Sequence, residues 1–99
     1  MSLLDQIDKS PYDSDQMVDL LEQLGWQFIA ESNGVSACLV QIAIDHMRLP
    51  FDNPFGTYPL IGPIIRLLGS QDQFNKIYHQ YWTSSWDKIR TFLENGLED

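Results

Sequence analysis

No Gly or Pro interrupts residues 70–95, and this stretch constrains the fold more than any other part of the sequence. Ser70 followed by Gln73 forms a capping box, in which the two side chains satisfy free backbone amides at a helix start. Apolar residues then recur at the spacing of one helical face. The stretch therefore predicts a C-terminal helix, which the Thr-Ser-Ser segment at residues 83–85 could kink or divide because its helix propensity is poor.

A second helix is predicted nearer the N-terminus, after a polar lead over residues 1–12. Asp13 and Gln16 have the spacing of a capping box, and the apolar residues that follow recur at helical spacing. If this helix continued, Trp26 would join its acidic face. Gly25 is therefore predicted to end the helix.

The next segment is compatible with two structures. Asn33-Gly34 lies between two apolar segments, which is typical of a type I′ turn in a β-hairpin. Residues 35–49, however, contain neither Gly nor Pro, are longer than a usual strand, and end in basic side chains that suit a helix C-terminus. We favour a buried helix capped by Ser32 or Asn33, with the hairpin as the alternative.

Residues 50–63 contain four prolines and two glycines, which exclude a continuous helix or a central strand. Their apolar side chains favour an ordered loop over a flexible linker. Pro63 then suits the first turn of a short apolar helix that Gly69 ends. The main anchors of the loop would be Phe51, Phe55 and Tyr58.

These elements predict a mainly α fold, a compact single-domain bundle of about four helices with a Pro-rich ordered loop. An α+β fold with a hairpin at Asn33-Gly34 is the alternative. Ninety-nine residues suit one domain, spanning 1–99, because a shorter piece could not bury a core. Apolar residues make up 43% of the chain, enough for burial to offset the loss of chain entropy.

The formal net charge of −8 repels phosphate backbones and anionic lipids. Direct binding of nucleic acid or a membrane surface is therefore not expected. The single cysteine cannot form an intrachain disulfide, and the N-terminus lacks the basic and apolar segments of a signal peptide. No run reaches the roughly 18 apolar residues that a membrane span needs. We expect a cytoplasmic protein, whose oligomeric state the sequence does not indicate.

The sequence predicts no metal site and no cofactor. One Cys and two distant His cannot supply a zinc ligand set. The acidic residues near the N-terminus lack the alternating ligands, the Gly and the final Glu of a calcium loop. Phosphate-binding Gly-rich loops and dinucleotide motifs are also absent from the sequence.

An enzyme using Cys38 is the least favoured function. A thiolate can be paired with an imidazole, and His46 and His79 are the only histidines. Cys38 and His46 are too far apart on one helix for a hydrogen bond, and His79 could reach Cys38 only through the tertiary fold. A buried cysteine that packs as a small apolar residue is the commoner situation, and we expect no catalysis.

Two surface features and one loop are candidates for binding a partner. The apolar arc of the C-terminal helix is wider than a surface helix needs, and Trp is enriched in binding hot spots. Carboxylates on the N-terminal helix could occupy a basic surface where phosphates would otherwise bind. The Pro-rich loop is the third candidate. The candidate residues are Trp82, Trp86 and Leu93 on the arc, Asp15, Asp19 and Glu22 on the acidic face, and Phe51, Phe55 and Tyr58 in the loop.

The sequence therefore favours a small acidic protein-binding module that inhibits or neutralises a protein partner with a basic surface. Immunity proteins, antitoxins and phage-encoded inhibitors are of this type. An accessory or adaptor subunit of a larger assembly is the alternative, in which the apolar arc would be permanently covered. Small size, acidity and surplus aromatic residues suit either function.

Overall fold

The computed structural model describes residues 2–48 and 59–96, and these residues form six helices and no strand. The mainly α prediction is confirmed, but the expected number of about four helices is wrong. One additional helix lies in the predicted polar lead, and the C-terminal stretch folds as two helices. The helices are α1 (Leu3–Lys9), α2 (Asp15–Ala30), α3 (Gly34–Met47), α4 (Ile61–Leu68), α5 (Gln71–Tyr81) and α6 (Trp86–Asn95).

Helix α3 is the centre of the bundle and packs against α2, α4, α5 and α6. Every residue from Ala37 to Asp45 is buried, so α3 is enclosed on all sides, as its continuous apolar sequence requires. Asn33 caps the helix, because its Oδ1 accepts a hydrogen bond from the backbone amide of Ser36 at 3.1 Å. The helix at this position is confirmed and the hairpin alternative is wrong.

Helix α2 begins one residue later than predicted. The helix is capped by Ser14 and not by Asp13. The Oγ of Ser14 accepts a hydrogen bond from the backbone amide of Met17 at 3.1 Å. Asp13 has a φ of +64° and its carboxylate accepts from Arg48 Nη1 at 2.7 Å. A bond to a residue at the end of α3 therefore takes Asp13 away from the capping position.

The prediction that α2 ends at Gly25 is wrong, because the helix continues to Ala30. Gly25 is buried inside the helix, where an added Cβ would lie 2.7 Å from Cδ1 of Leu60. The glycine thus permits close packing and does not terminate the helix. Termination comes at Ser32, whose φ is +59°, and the amide of Asn33 donates to the Phe28 carbonyl at 2.8 Å, as in a Schellman motif.

The signals in the C-terminal half act as predicted. Gly69 ends α4 with a φ of +96°. At the start of α5, Ser70 Oγ accepts a hydrogen bond from the backbone amide of Gln73 at 3.2 Å. The Thr-Ser-Ser segment divides the stretch into two helices. Ser85 caps the second of them, since its Oγ accepts the amide of Lys88 at 3.3 Å.

Helix α1 depends on contacts with the rest of the molecule. Ser2 Oγ accepts the amide of Asp5, and the side chain of Ile7 is buried in the core. Arg90 on α6 donates from Nε to both oxygens of Asp8, at 2.8 and 2.7 Å. Since isolated helices this short are unstable, tertiary contacts account for α1.

One hydrophobic cluster includes buried residues from all six helices. Within the described ranges, no helix has the length and apolarity needed to cross a bilayer. Examples of the core residues, in chain order from α1 to α6, are Ile7, Leu21, Leu39, Ile64, Phe74 and Ile89.

Candidate functional site

The continuation of α2 beyond Gly25 places an exposed tryptophan on the predicted acidic face. Counted from Asp15, the next members of this face are four, seven and eleven residues away, at Asp19, Glu22 and Trp26. At 100° per residue, the four residues lie within about 60° of the helix circumference. Trp26 is 45% exposed, one of the largest values for a large apolar side chain in the described residues. We call these four residues the α2 stripe.

The negative charge of the α2 stripe is only partly neutralised within the molecule. Arg48 Nη2 donates to Asp15 at 2.6 Å, and Arg48 also bonds to Asp13. These partners raise the pKa of Arg48, with the hydrogen bond to Asp15 as the main cause. Among the described residues, neither Asp19 nor Glu22 forms an ion pair. The carboxylates beside Trp26 are therefore available to a cationic partner.

The stripe is presented on a rigid support. The opposite side of α2 is buried in the core through Met17, Leu21 and Leu24. Gly25 lets α4 approach closely at Leu60. Since the helix packs along its length, its exposed side chains have fixed spacing, and little backbone entropy is lost when a partner binds them.

The predicted aromatic arc does not lie on a single helix, because α5 and α6 are separate helices. Trp82 is half-buried and stacks on His46, with ring centroids 4.5 Å apart and planes inclined by 11°. On another side it stacks on Tyr78 at 5.2 Å. His46 Nε2 also donates to the Trp82 carbonyl at 2.6 Å. These contacts make Trp82 a structural link between α3 and α5, and its role in binding stays a prediction.

Trp86 and Leu93 are also half-buried against the core, but each borders a cavity. Trp86 lines two cavities near the turn that joins α1 to α2, together with Tyr12. Leu93 lines a different one, between α1, α2 and α6. The two residues thus line different cavities, and no residue of the α2 stripe lines any of these cavities.

The loop candidates Phe51, Phe55 and Tyr58 lie outside the described residues. The predicted order of the Pro-rich loop between residues 50 and 58 therefore stays a prediction. The remainder of that segment is described, and it includes Leu60, which is buried against Gly25.

The candidate nucleophile Cys38 and its acidic neighbour Asp45 are both buried in the described structure. Cys38 is fully buried, and burial raises its pKa to about 12, with the nearby charge of Asp45 adding to the effect. Asp45 is itself buried and accepts hydrogen bonds from Gln41 at 2.7 Å and from Tyr78 at 2.6 Å. Since a thiolate is the reactive form of cysteine, this environment makes Cys38 a poor nucleophile.

The described residues bring no three His, Cys, Asp or Glu side chains into a group that could bind a metal ion. Neither a protein-family model nor a curated protein nor a solved structure matches this chain. The function is therefore inferred from the residues themselves.

Sequence reasoning missed two exposed aromatic residues, Trp26 and Tyr12. The spacing that places Trp26 beside the carboxylates can be read from the sequence, but it applies only because the helix continues past Gly25. Tyr12 is 64% exposed in the turn before α2. The short polar segment around Pro11 does not indicate that Tyr12 and Trp86 line the same cavity.

Proposed function

We propose that this chain is a binding module that neutralises a protein partner by covering a basic surface on that partner. The observation that carries the proposal is the α2 stripe, in which an exposed Trp26 lies among carboxylates on a helix fixed to the core. Tryptophan supplies apolar area for a binding hot spot, and the surrounding carboxylates select for positive charge.

The charge of the whole chain supports the same type of partner. The net charge is −8, and the segment that contains the stripe is its most acidic part. Two arginines pair with acidic residues of this segment. Arg48 bonds to Asp13 and Asp15, and Arg90 bonds to Asp8. A field of this sign accelerates encounter with a basic surface and repels acidic ones.

The exposed surface favours a reversible complex over permanent burial in an assembly. Three large apolar side chains in the described residues, Tyr12, Trp26 and Leu67, are more than a third exposed. An obligate subunit usually presents a larger continuous apolar surface to its neighbours. The described surface is thus better suited to a soluble inhibitor than to an adaptor subunit.

The decisive experiment immobilises the full chain and captures proteins from a lysate of its source organism at low and moderate salt. Trp26→Ala and Asp19→Lys test the stripe. Leu67→Ala and Asp72→Lys are the matched controls, because they make the same kinds of change at exposed positions on α4 and α5. Circular dichroism would verify that each variant remains folded.

We expect a stoichiometric, basic partner that the stripe variants retain poorly and the control variants retain normally. With the purified partner, Asp19→Lys should slow association and reduce its salt dependence, because an exposed charge acts mainly on encounter. Trp26→Ala should speed dissociation and cost about 2 kcal/mol of affinity. A partner whose affinity is the same for stripe and control variants would refute the proposal.

A further inference from the structure

A second surface has the chemistry of a cation site, and it lies between the α1–α2 turn and the start of α6. A cavity of about 230 Å³ is lined there by the aromatic residues Tyr12 and Trp86 and by the acidic residues Asp8 and Asp87. We call it the α1–α6 cleft. The buried residue Met17 also lines it, so the cleft extends inward to the core.

The two aromatic rings are not fully covered by the protein's own side chains. Tyr12 is 64% exposed and Trp86 is half-buried. Both residues also line a second cavity, of about 180 Å³. The faces of aromatic rings attract cations, and arginine stacks on them more readily than lysine because its guanidinium is planar and weakly hydrated.

The carboxylates of the cleft differ in their availability. Asp8 is bonded through both oxygens to Arg90, which also pairs with Glu94. Asp87 is exposed in the first turn of α6 and forms no side-chain hydrogen bond or ion pair among the described residues. The neighbouring ammonium of Lys88 lies over the ring of Phe92, 5.9 Å from its centroid. Asp87 can therefore receive an external cation.

We infer that the α1–α6 cleft binds the guanidinium of an arginine side chain from the partner protein. The guanidinium would stack on Tyr12 or Trp86 and donate to the carboxylate of Asp87. This inference rests on the proposed function for the source of the arginine, but it concerns a different surface from the α2 stripe. A partner that engages both would contact the acidic segment at two separate points.

The test uses the full chain labelled with nitrogen-15 and the acetyl amide of arginine as the probe. The acetyl amide of citrulline is the neutral control, since it has nearly the same shape without the charge. We expect the arginine probe to cause saturable shifts of the Trp86 indole resonance and the Asp87 amide, and the citrulline probe to cause little change. Comparison with Trp86→Phe assigns the indole resonance.

Two variants with the same charge change separate a specific site from diffuse attraction. Asp87→Asn should weaken binding of the arginine probe about threefold or more. Asp72→Asn, at an exposed position in the first turn of α5, should leave it unchanged. Both residues are exposed, so neither substitution removes a core contact.

Equal shifts with the citrulline probe, or equal weakening by the two variants, would overturn the inference. So would shifts centred on Trp26, because the probe would then bind the α2 stripe. The result of this titration with small probes does not depend on whether a partner protein is captured. If the cleft does not bind the arginine probe but the partner still depends on the stripe, the proposed function stands. If the cleft binds the probe but the partner does not depend on the stripe, the proposed function is refuted.

Discussion

Gly25→Ala should destabilise the protein, although the same change in the middle of an ordinary helix is stabilising. Replacing an interior helical Gly by Ala usually gains about 1 kcal/mol, because Ala has less backbone freedom to lose. Here the added Cβ would lie 2.7 Å from Cδ1 and 3.3 Å from Cδ2 of Leu60, and 3.4 Å from Val40 Cγ1. Leu60 is 1% exposed, so its methyl groups have little space to move into.

The expected size follows from two opposing contributions. Overpacking a core typically costs about 1–3 kcal/mol, and the helix preference of Ala recovers about 1 kcal/mol. The net loss for Gly25→Ala is therefore about 1 kcal/mol. In a domain of this size such a loss lowers the melting temperature by roughly 4–8 °C.

Thermal and urea unfolding of matched variants would measure this effect. The control is Gly25→Ala in the Leu60→Ala background, because the Leu60 methyl group that the added Cβ would meet at 2.7 Å is then absent. In that background Gly25→Ala should raise stability by up to about 1 kcal/mol. The same Gly25→Ala change should thus shift the melting temperature in opposite directions in the two backgrounds.

A double-mutant cycle identifies Leu60 as the cause. Leu60→Ala should cost about 2–5 kcal/mol in the wild-type background and less in the Gly25→Ala background, where it also removes the clash. If Gly25→Ala is stabilising in the wild-type background and the cycle is additive, the packing explanation is wrong. Leu60 would then move aside without cost.

Two further predictions concern stability. Burial raises the pKa of Asp45 despite its hydrogen bonds with Tyr78 and Gln41, so the folded state holds this proton more tightly than the unfolded state. The contribution of Asp45 to stability should decline as pH rises from its unfolded pKa of about 4 to its higher folded pKa, and urea unfolding of Asp45→Asn should lack this decline. A pH profile that Asp45→Asn leaves unchanged would contradict the assignment. Ser85→Ala removes the acceptor for the Lys88 amide at the start of α6 and should cost about 1 kcal/mol in the same assay, and no loss would show that the cap is dispensable.

The candidate sites were only partly accessible to sequence reasoning. The spacing of Asp15, Asp19 and Glu22 follows from helical geometry alone, and the structure places these residues on one face of α2. The continuation of that face to Trp26 depended on whether Gly25 ends the helix. The α1–α6 cleft joins Tyr12 to Trp86, which are distant in sequence, so no local pattern could indicate it.

The sequence by itself determined the elements whose ends are satisfied by neighbouring residues. Asn33 bonds to the amide of Ser36, Ser70 to that of Gln73, and the serines after α5 divide the C-terminal stretch. Such hydrogen bonds join residues three positions apart. They need no partner from elsewhere in the chain, and this is why the corresponding predictions are confirmed.

Only the tertiary structure decided the meaning of residues whose partners are distant in the chain. Gly25 is read locally as a terminator, but its contact is Leu60, and Asp13 is read locally as a cap, but its partner is Arg48. Helix α1 exists because its apolar side has a core to join. In each of these cases the free energy that selects the structure comes from packing or pairing across the fold, and a local pattern does not contain it.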